Sequence, residues 1–246
     1  MITSTSHRIV PILCFHHIAD LHYYTAISQT RFIELLVQLQ EAFTLVDASD
    51  LSEMAGRAFA RPPLLLSFDD AYEDNVEPLL AAAASLACKG IIFPVANYVG
   101  KQNDWNGKAP YRARHASRSQ LAELLKAGYQ IGSHTLDHIN LVRLTHAEIR
   151  TQTRDSRKRL EDMLQAKIAA ISYPFGWFNQ EVLEIAAEDY RLGFSTLTKG
   201  GAPRWRNQPY AIGRLSVGAA AGTDQILIAL ENWLALNNNE MDEYVC

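Results

Sequence analysis

An apolar run, Leu64-Leu65-Leu66-Ser67-Phe68, delivers two adjacent carboxylates, Asp69 and Asp70. Neighbours on an extended strand point to opposite sides, so one acid could ligate a metal while the other acts as a base. An aspartate at such a place also suits a helix N-cap or a solvated turn. Further along, Gly132-Ser133-His134-Thr135-Leu136-Asp137-His138 sets two histidines at i and i+4. At that spacing a single helical turn lets both face one cation. Two neutral imidazoles and one carboxylate make a facial set that leaves positions open for water and substrate. Non-haem iron oxygenases use the same donor types, but the second aspartate beside the first suits hydrolysis better. A phosphatase of the haloacid dehalogenase type would need its aspartates separated by one residue.

Elements must place these groups. Short apolar runs alternate with helical patterns, which predicts βα units and a mainly parallel sheet. Strands are expected over Val10–Phe15, Phe43–Val46, Leu64–Phe68, Gly90–Val95, Gln130–Gly132, Ile168–Tyr173, Leu192–Thr196 and Ile212–Val217. Helices are expected over Ser28–Ala42, Asn75–Cys88, Ser119–Ala127, Thr145–Leu164, Asn179–Glu188 and Thr223–Leu236. Thr145 and Glu148 read as a capping box, and Ala127-Gly128 as a helix stop. The polar stretch Asn97–His115 reads as a long surface loop. The whole predicts an α/β fold, one domain over 1–246 with a flexible tail at 237–246, closed as a barrel of about seven strands. In such barrels the site gathers where the strands end. His16, Asp69-Asp70, His134 and Pro174-Phe175 all fall there.

Composition narrows the classes. Of 246 residues, 48% are hydrophobic and 20% charged, which excludes intrinsic disorder. Lys and Arg number 23 against 27 Asp and Glu, a net charge of −4 with no basic stripe, so no nucleic-acid partner is expected. The three cysteines, Cys14, Cys88 and Cys246, form no CxxC pair, so neither a zinc knuckle nor a disulfide scaffold is indicated. No window approaches the ~18–20 apolar residues of a transmembrane helix, and no secretion signal is apparent. A cytoplasmic location is expected, with loose attachment to a membrane complex left open.

Three stretches, taken in order, resemble one family. Ser67-Phe68-Asp69-Asp70 resembles the first motif of the NodB-homology polysaccharide deacetylases, the carbohydrate esterase family 4-like group. His134-Thr135-x-x-His138 resembles the second and Tyr173-Pro174-Phe175-Gly176 the third. The intervening Gly90-Ile91-Ile92-Phe93, Ala127–Gly132 and Leu144-Thr145 also fit, so the resemblance runs from Val10 to Val217. It implies a distorted (β/α) barrel and a metal-dependent N-deacylase. It implies that Asp70, His134 and His138 hold one divalent ion, zinc by preference. It makes Asp69 the general base and sets the backbone N–H of Phe175 at the oxyanion. These roles agree with general chemistry, in which a metal acidifies water and a neighbouring carboxylate takes its proton.

The chain departs from the family pattern. Ala71 stands where glycine is usual, so an ordinary negative φ is expected there. Ser172 stands where an arginine usually supports the base; Arg214 could reach in from a later strand. No fourth motif is apparent. The usual late strand ending in a histidine acid is missing, because no histidine follows His146. Pro11-Ile12-Leu13-Cys14-Phe15-His16 has that form at the front of the chain. We read it as a circularly permuted version, similar to that of poly-N-acetylglucosamine deacetylases, with His16 as the acid. His17 is the alternative acid and a candidate substrate contact.

Trp177, Tyr173 and Pro174 are further candidates to contact an amino-sugar substrate, and Trp105 and Trp205 could wall the cleft. Trp233 and Cys14 read as packing residues. His7, His22, His115 and His146 read as exposed, and Arg112, Arg114 and Arg118 as a solvated basic face. The leading expectation is hydrolysis of an amino-sugar N-acetyl group. The alternatives are N-deformylation, or a non-catalytic carbohydrate-binding protein on the same barrel. Oligomeric state is open.

Overall fold

Buried parallel strands read as near-continuous apolar runs, and they need crossover helices on their outer face. A computed structural model of the chain, which describes residues 10–52, 59–103, 113–196 and 209–239, has this construction. In chain order the elements are β1 (Ile12–Phe15), β2 (His17–Ile18), β3 (Ala26–Ile27), α1 (Gln29–Ala42), β4 (Thr44–Leu45), β5 (Pro63–Asp70), α2 (Val76–Leu86), β6 (Ile91–Pro94), α3 (Arg118–Lys126), β7 (Gln130–Ile131), α4 (His146–Arg150), α5 (Ser156–Leu164), β8 (Ala170–Ser172), α6 (Gln180–Asp189), β9 (Leu192–Phe194), β10 (Leu215–Ser216) and α7 (Thr223–Asn239).

The main sheet runs β10-β1-β5-β6-β7, with β4 also on β5, and every pairing is parallel. β1 therefore lies between β10 and β5, the strand that carries the aspartates. β8 and β9 form a separate parallel pair. Single bridges, Ser133 with Ile171 and Phe194 with Ile212, tie this pair to the two ends of the main sheet. The α/β architecture and parallel sheet are as expected. Among the described residues, continuous ladders do not run round a closed barrel. The small β2–β3 pair was not anticipated, because two-residue strands carry no periodicity.

Strand alternation sorts side chains onto two faces. Leu13, Phe15, Leu64, Leu66 and Phe68 pack outward against Phe32, Leu35 and Leu36 of α1. Ile12, Leu65, Phe93, Ala170, Phe194 and Ile212 form a second, inner cluster. Cys14 and Asp69 continue the inner-facing rows of β1 and β5, so alternation aims both toward the same interior.

Helix ends follow their local chemistry. Ser28 accepts from the Arg31 N–H, and Ser117 forms a capping box with Gln120. At Thr145 the N–H donates to Glu148 at 2.8 Å, as the sequence predicts. The helix expected over Thr145–Leu164 is interrupted by a π turn over Thr151–Asp155. That turn presents Gln152, whose Oε1 accepts from the Asp137 N–H at 3.0 Å while its amide donates to Asp137 Oδ2 at 2.7 Å. The bulge thus braces the loop between the two site histidines, a usual place for π bulges. Among the described residues no helix is long and apolar enough to cross a membrane.

Candidate active site

β5 ends by turning sharply. Asp70 has φ 64° and Ala71 φ 52°, both left-handed. The expectation of an ordinary φ at Ala71 is corrected: the backbone is left-handed there although the residue is alanine. A Cβ in that region costs on the order of 1 kcal/mol. The turn is held by the Ala71 N–H donating to the Asp69 carbonyl and by the Ala116 N–H donating to the Ala71 carbonyl, both at 2.8 Å. His115 fastens it again, with Nδ1 2.7 Å from the Asp70 carbonyl oxygen. His115 is 1% exposed, so its assignment to solvent is also corrected. Its place in a polar loop gave no hint of burial.

Asp70, His134 and His138 converge, with one donor atom of each within 4.8 Å of the others. A helical turn is not what joins the histidines. The segment is a non-helical turn with Thr135 at φ 66° and His138 at φ 55°. Left-handed non-glycine residues cluster at functional sites, where the surroundings must enforce them. Asp70, Ala71, Thr135, His138 and Phe175 make five such residues around this one place.

The donor set fits a cation. Asp70 Oδ1 is buried and has no hydrogen-bond partner among the described residues. It lies 3.6 Å from His134 Nε2 and 3.5 Å from His138 Nε2. These spacings exceed good hydrogen bonds. They are close to the edge of a tetrahedral site with bonds of about 2.0–2.2 Å. His134 Nδ1 is 2.8 Å from the Ser172 carbonyl oxygen, which fixes the proton on Nδ1 and leaves Nε2 its lone pair. Burial holds the His138 imidazole neutral, its pKa brought down to about 4. Burial would raise Asp70, but the positive charge that His138 and His134 carry when protonated outweighs it and brings the carboxyl below its usual range.

Asp69 is held differently. Arg214 Nη1 donates to Oδ1 at 2.8 Å and Nη2 to Oδ2 at 2.7 Å, a bidentate pair with both side chains buried. The Ser172 hydroxyl donates to Asp69 Oδ2 at 3.1 Å and accepts from Arg214 Nη2 at 2.8 Å. Burial alone would raise the Asp69 carboxyl, but the guanidinium wins and holds it well below the carboxylate range. Arg214 is itself fixed by the Ser195 carbonyl and the Ser67 hydroxyl, and lies against the rings of Phe93 and Phe194.

His16 lies beside Asp69, a ring nitrogen grouped with Asp69 and Cys14 within 4.8 Å. It is half-buried, and burial lowers its pKa. His17 is turned elsewhere: Nδ1 is 2.7 Å from Asp74 Oδ2 and the ring stacks on Tyr72 at 3.9 Å. At 2% exposure it offers no surface to a substrate, which corrects that expectation. Burial and the nearby Asp70 charge push the hydroxyl of its stacking partner Tyr72 up, so His17 backs the site through Tyr72.

Phe175 and Trp177 are half-exposed, and the Phe175 ring meets His138 at 4.6 Å. Phe175 is left-handed at φ 60°, followed by Gly176 at φ 70°. A Cβ on Gly176 would meet Thr196 Oγ1 at 2.3 Å, so only glycine fits there. Tyr173 and Pro174 are buried, and the Tyr173 hydroxyl donates to the Tyr210 carbonyl. Substrate contact by these two is corrected to a structural part beneath the loop, because the strand has turned both inward. Arg114 pairs with Glu73 at 3.6 Å and Arg118 with the Met163 carbonyl. Trp105, Trp205, Arg112 and His7 lie outside the described residues.

The polysaccharide deacetylase family model matches residues 56–192, more than half of the chain. The chain belongs to that family. The Bacillus subtilis (strain 168) protein YxkH is 30% identical over 155 residues, 63% of this chain and 51% of its own length. The chain thus spans about half the length of that curated relative. Among solved structures, the Streptococcus pyogenes deacetylase PplD in complex with acetate superposes with TM-score 0.75 at 20% identity, covering 89% of this chain and 96% of that one. IcaB from Ammonifex degensii gives TM-score 0.75 at 21% identity, covering 92% and 96%. At these identities the structures speak for the fold.

Proposed function

We propose that the chain hydrolyses the N-acetyl group of an amino-sugar unit. The observation that carries this reading is the side-by-side placement of two differently tuned aspartates. Asp70 converges with the imidazoles of His134 and His138, while Asp69 is kept ionised by Arg214. Asp70, His134 and His138 would hold one divalent cation, zinc by our reading of the donor types. When bound, such a cation polarises the amide carbonyl and acidifies water.

The remaining work belongs to side chains. Asp69, ionised and aimed by Arg214 and Ser172, takes a proton from the attacking water. His16, neutral in its half-buried setting, takes up a proton and passes it to the departing amine as the C–N bond breaks. The Phe175 N–H, set by a left-handed backbone, faces the developing oxyanion; a donor of this kind is worth about 3–4 kcal/mol. Trp177 and the Phe175 ring offer exposed aromatic faces on which sugar C–H bonds can pack. Arg214 does for Asp69 what the family's missing arginine would do, which speaks against a non-catalytic role. β1, lying between β10 and β5, supports reading His16 as the displaced late-strand histidine.

The test is amine release from N-acetyl and N-formyl amino sugars, monomeric and oligomeric, before and after chelation. Release that falls with chelator and returns with zinc supports the proposal. Undiminished turnover in fully chelated protein would overturn it. The N-formyl arm decides between deacetylation and deformylation.

A further inference from the structure

The proposed mechanism leaves Cys14 unused, although it sits at the heart of the site. The β1–β5 register sets Cys14 opposite Ser67, two residues before Asp69 on the same face. The Cys14 thiol is buried and lies 3.5 Å from Asp69 Oδ2, toward which it donates. Cys14, His16 and Asp69 each bring one donor atom within 4.8 Å of the others. His16 Nδ1 is buried and finds no hydrogen-bond partner among the described residues. Thiolate, imidazole and carboxylate together suit zinc and softer ions. With a metal–sulfur bond of about 2.3 Å and a metal–oxygen bond of about 2.0–2.2 Å, tetrahedral geometry separates S and O by roughly 3.6 Å.

We infer that Cys14, His16 and Asp69 form a second, weaker site for a soft divalent cation such as cadmium or excess zinc, distinct from the Asp70 set. On binding, the Cys14 thiol releases its proton to solvent and a sulfur–metal bond takes the place of the S–H···O contact. No redox change is involved. The guanidinium of Arg214 on Asp69 disfavours a cation there, which makes this site the weaker of the two. Half-burial of His16 leaves a way in from solvent. Occupation engages Asp69 and His16 together. Inhibition by excess zinc therefore rests on the function proposed above, whereas the binding itself does not.

The experiment titrates cadmium into the metal-free full chain, following heat and the ultraviolet thiolate-to-cadmium charge-transfer band. Wild type should take two equivalents, the weaker one bringing the band. Asp70→Asn should lose the tighter equivalent and keep the band. Cys14→Ala should lose the band and the weaker equivalent, with folding checked by circular dichroism; Cys14→Ser serves if the alanine variant does not fold. A wild-type chain that shows no band in excess cadmium overturns the proposal. So does a band that survives in the Cys14 variant, which would assign it to Cys88 or Cys246. Both readings hold whether or not the chain deacetylates anything.

Discussion

Arg214 grips Asp69 with two nearly equal bonds, at 2.8 and 2.7 Å, across 145 residues of sequence and with both partners buried. A buried pair of this kind is costly to break, because the survivor keeps its charge without a partner. Arg214→Met should lower stability by about 3–5 kcal/mol and remove nearly all turnover. Arg214→Lys keeps the charge but loses the fork, so it should melt above Arg214→Met while still losing most activity. Thermal melts beside kcat/KM check both; a fully active, wild-type-stable Arg214→Met would refute the pairing's role.

The same pair sets a pH dependence. Burial pushes the Asp69 carboxyl up, and Arg214 more than reverses that, so the folded value lies below the unfolded one. A group depressed in this way contributes stability that is fully present above its unfolded pKa of about 4 and lost as pH falls through the folded value. Asp69→Asn should therefore melt well below wild type near neutrality, and the gap should narrow steadily below about pH 4. Melting temperature against pH for the two proteins reads this directly. A gap that stays constant to strong acid would show that the carboxylate charge is not what matters.

Ser172 ties the two halves of the site together. Its hydroxyl touches Asp69 and Arg214, while its carbonyl accepts from His134 Nδ1. Ser172→Ala removes only the hydroxyl. It should cost about ten-fold in kcat with cation affinity unchanged, because the carbonyl remains. Weakened cation binding in this variant would show that the hydroxyl matters to the histidine as well.

Trp177 is half-exposed and is not among the buried core residues. Trp177→Ala should raise KM several-fold, with melting unchanged to within about 0.5 kcal/mol. An unchanged KM across oligomeric substrates would remove Trp177 from the sugar site.

Much of this was legible beforehand. The parallel strands show as apolar runs, and the strand-end rule gathers His16, Asp69, Asp70, His134 and Phe175 from the sequence alone. Arg214 was legible only as a candidate, since nothing local says that a residue 145 positions from its partner will reach it. His17 takes the side opposite His16, as alternation requires, and Tyr173 and Pro174 lie buried beyond the end of β8, where strand alternation no longer sorts side chains. His115 was missed because a polar loop gives no sign that its histidine fastens Asp70. Ala71 adopts its left-handed φ because long-range hydrogen bonds impose it, against local preference.

The most direct measurement compares metal-loaded wild type with Asp69→Asn, scoring bound cation and acetate released from an N-acetylated amino-sugar oligomer in the same preparations. The account predicts one tight cation per chain in both proteins, and release at least a hundred-fold slower in the variant, as expected when a general base is removed. Equal release by the two proteins, or a wild type that holds no cation, would contradict it.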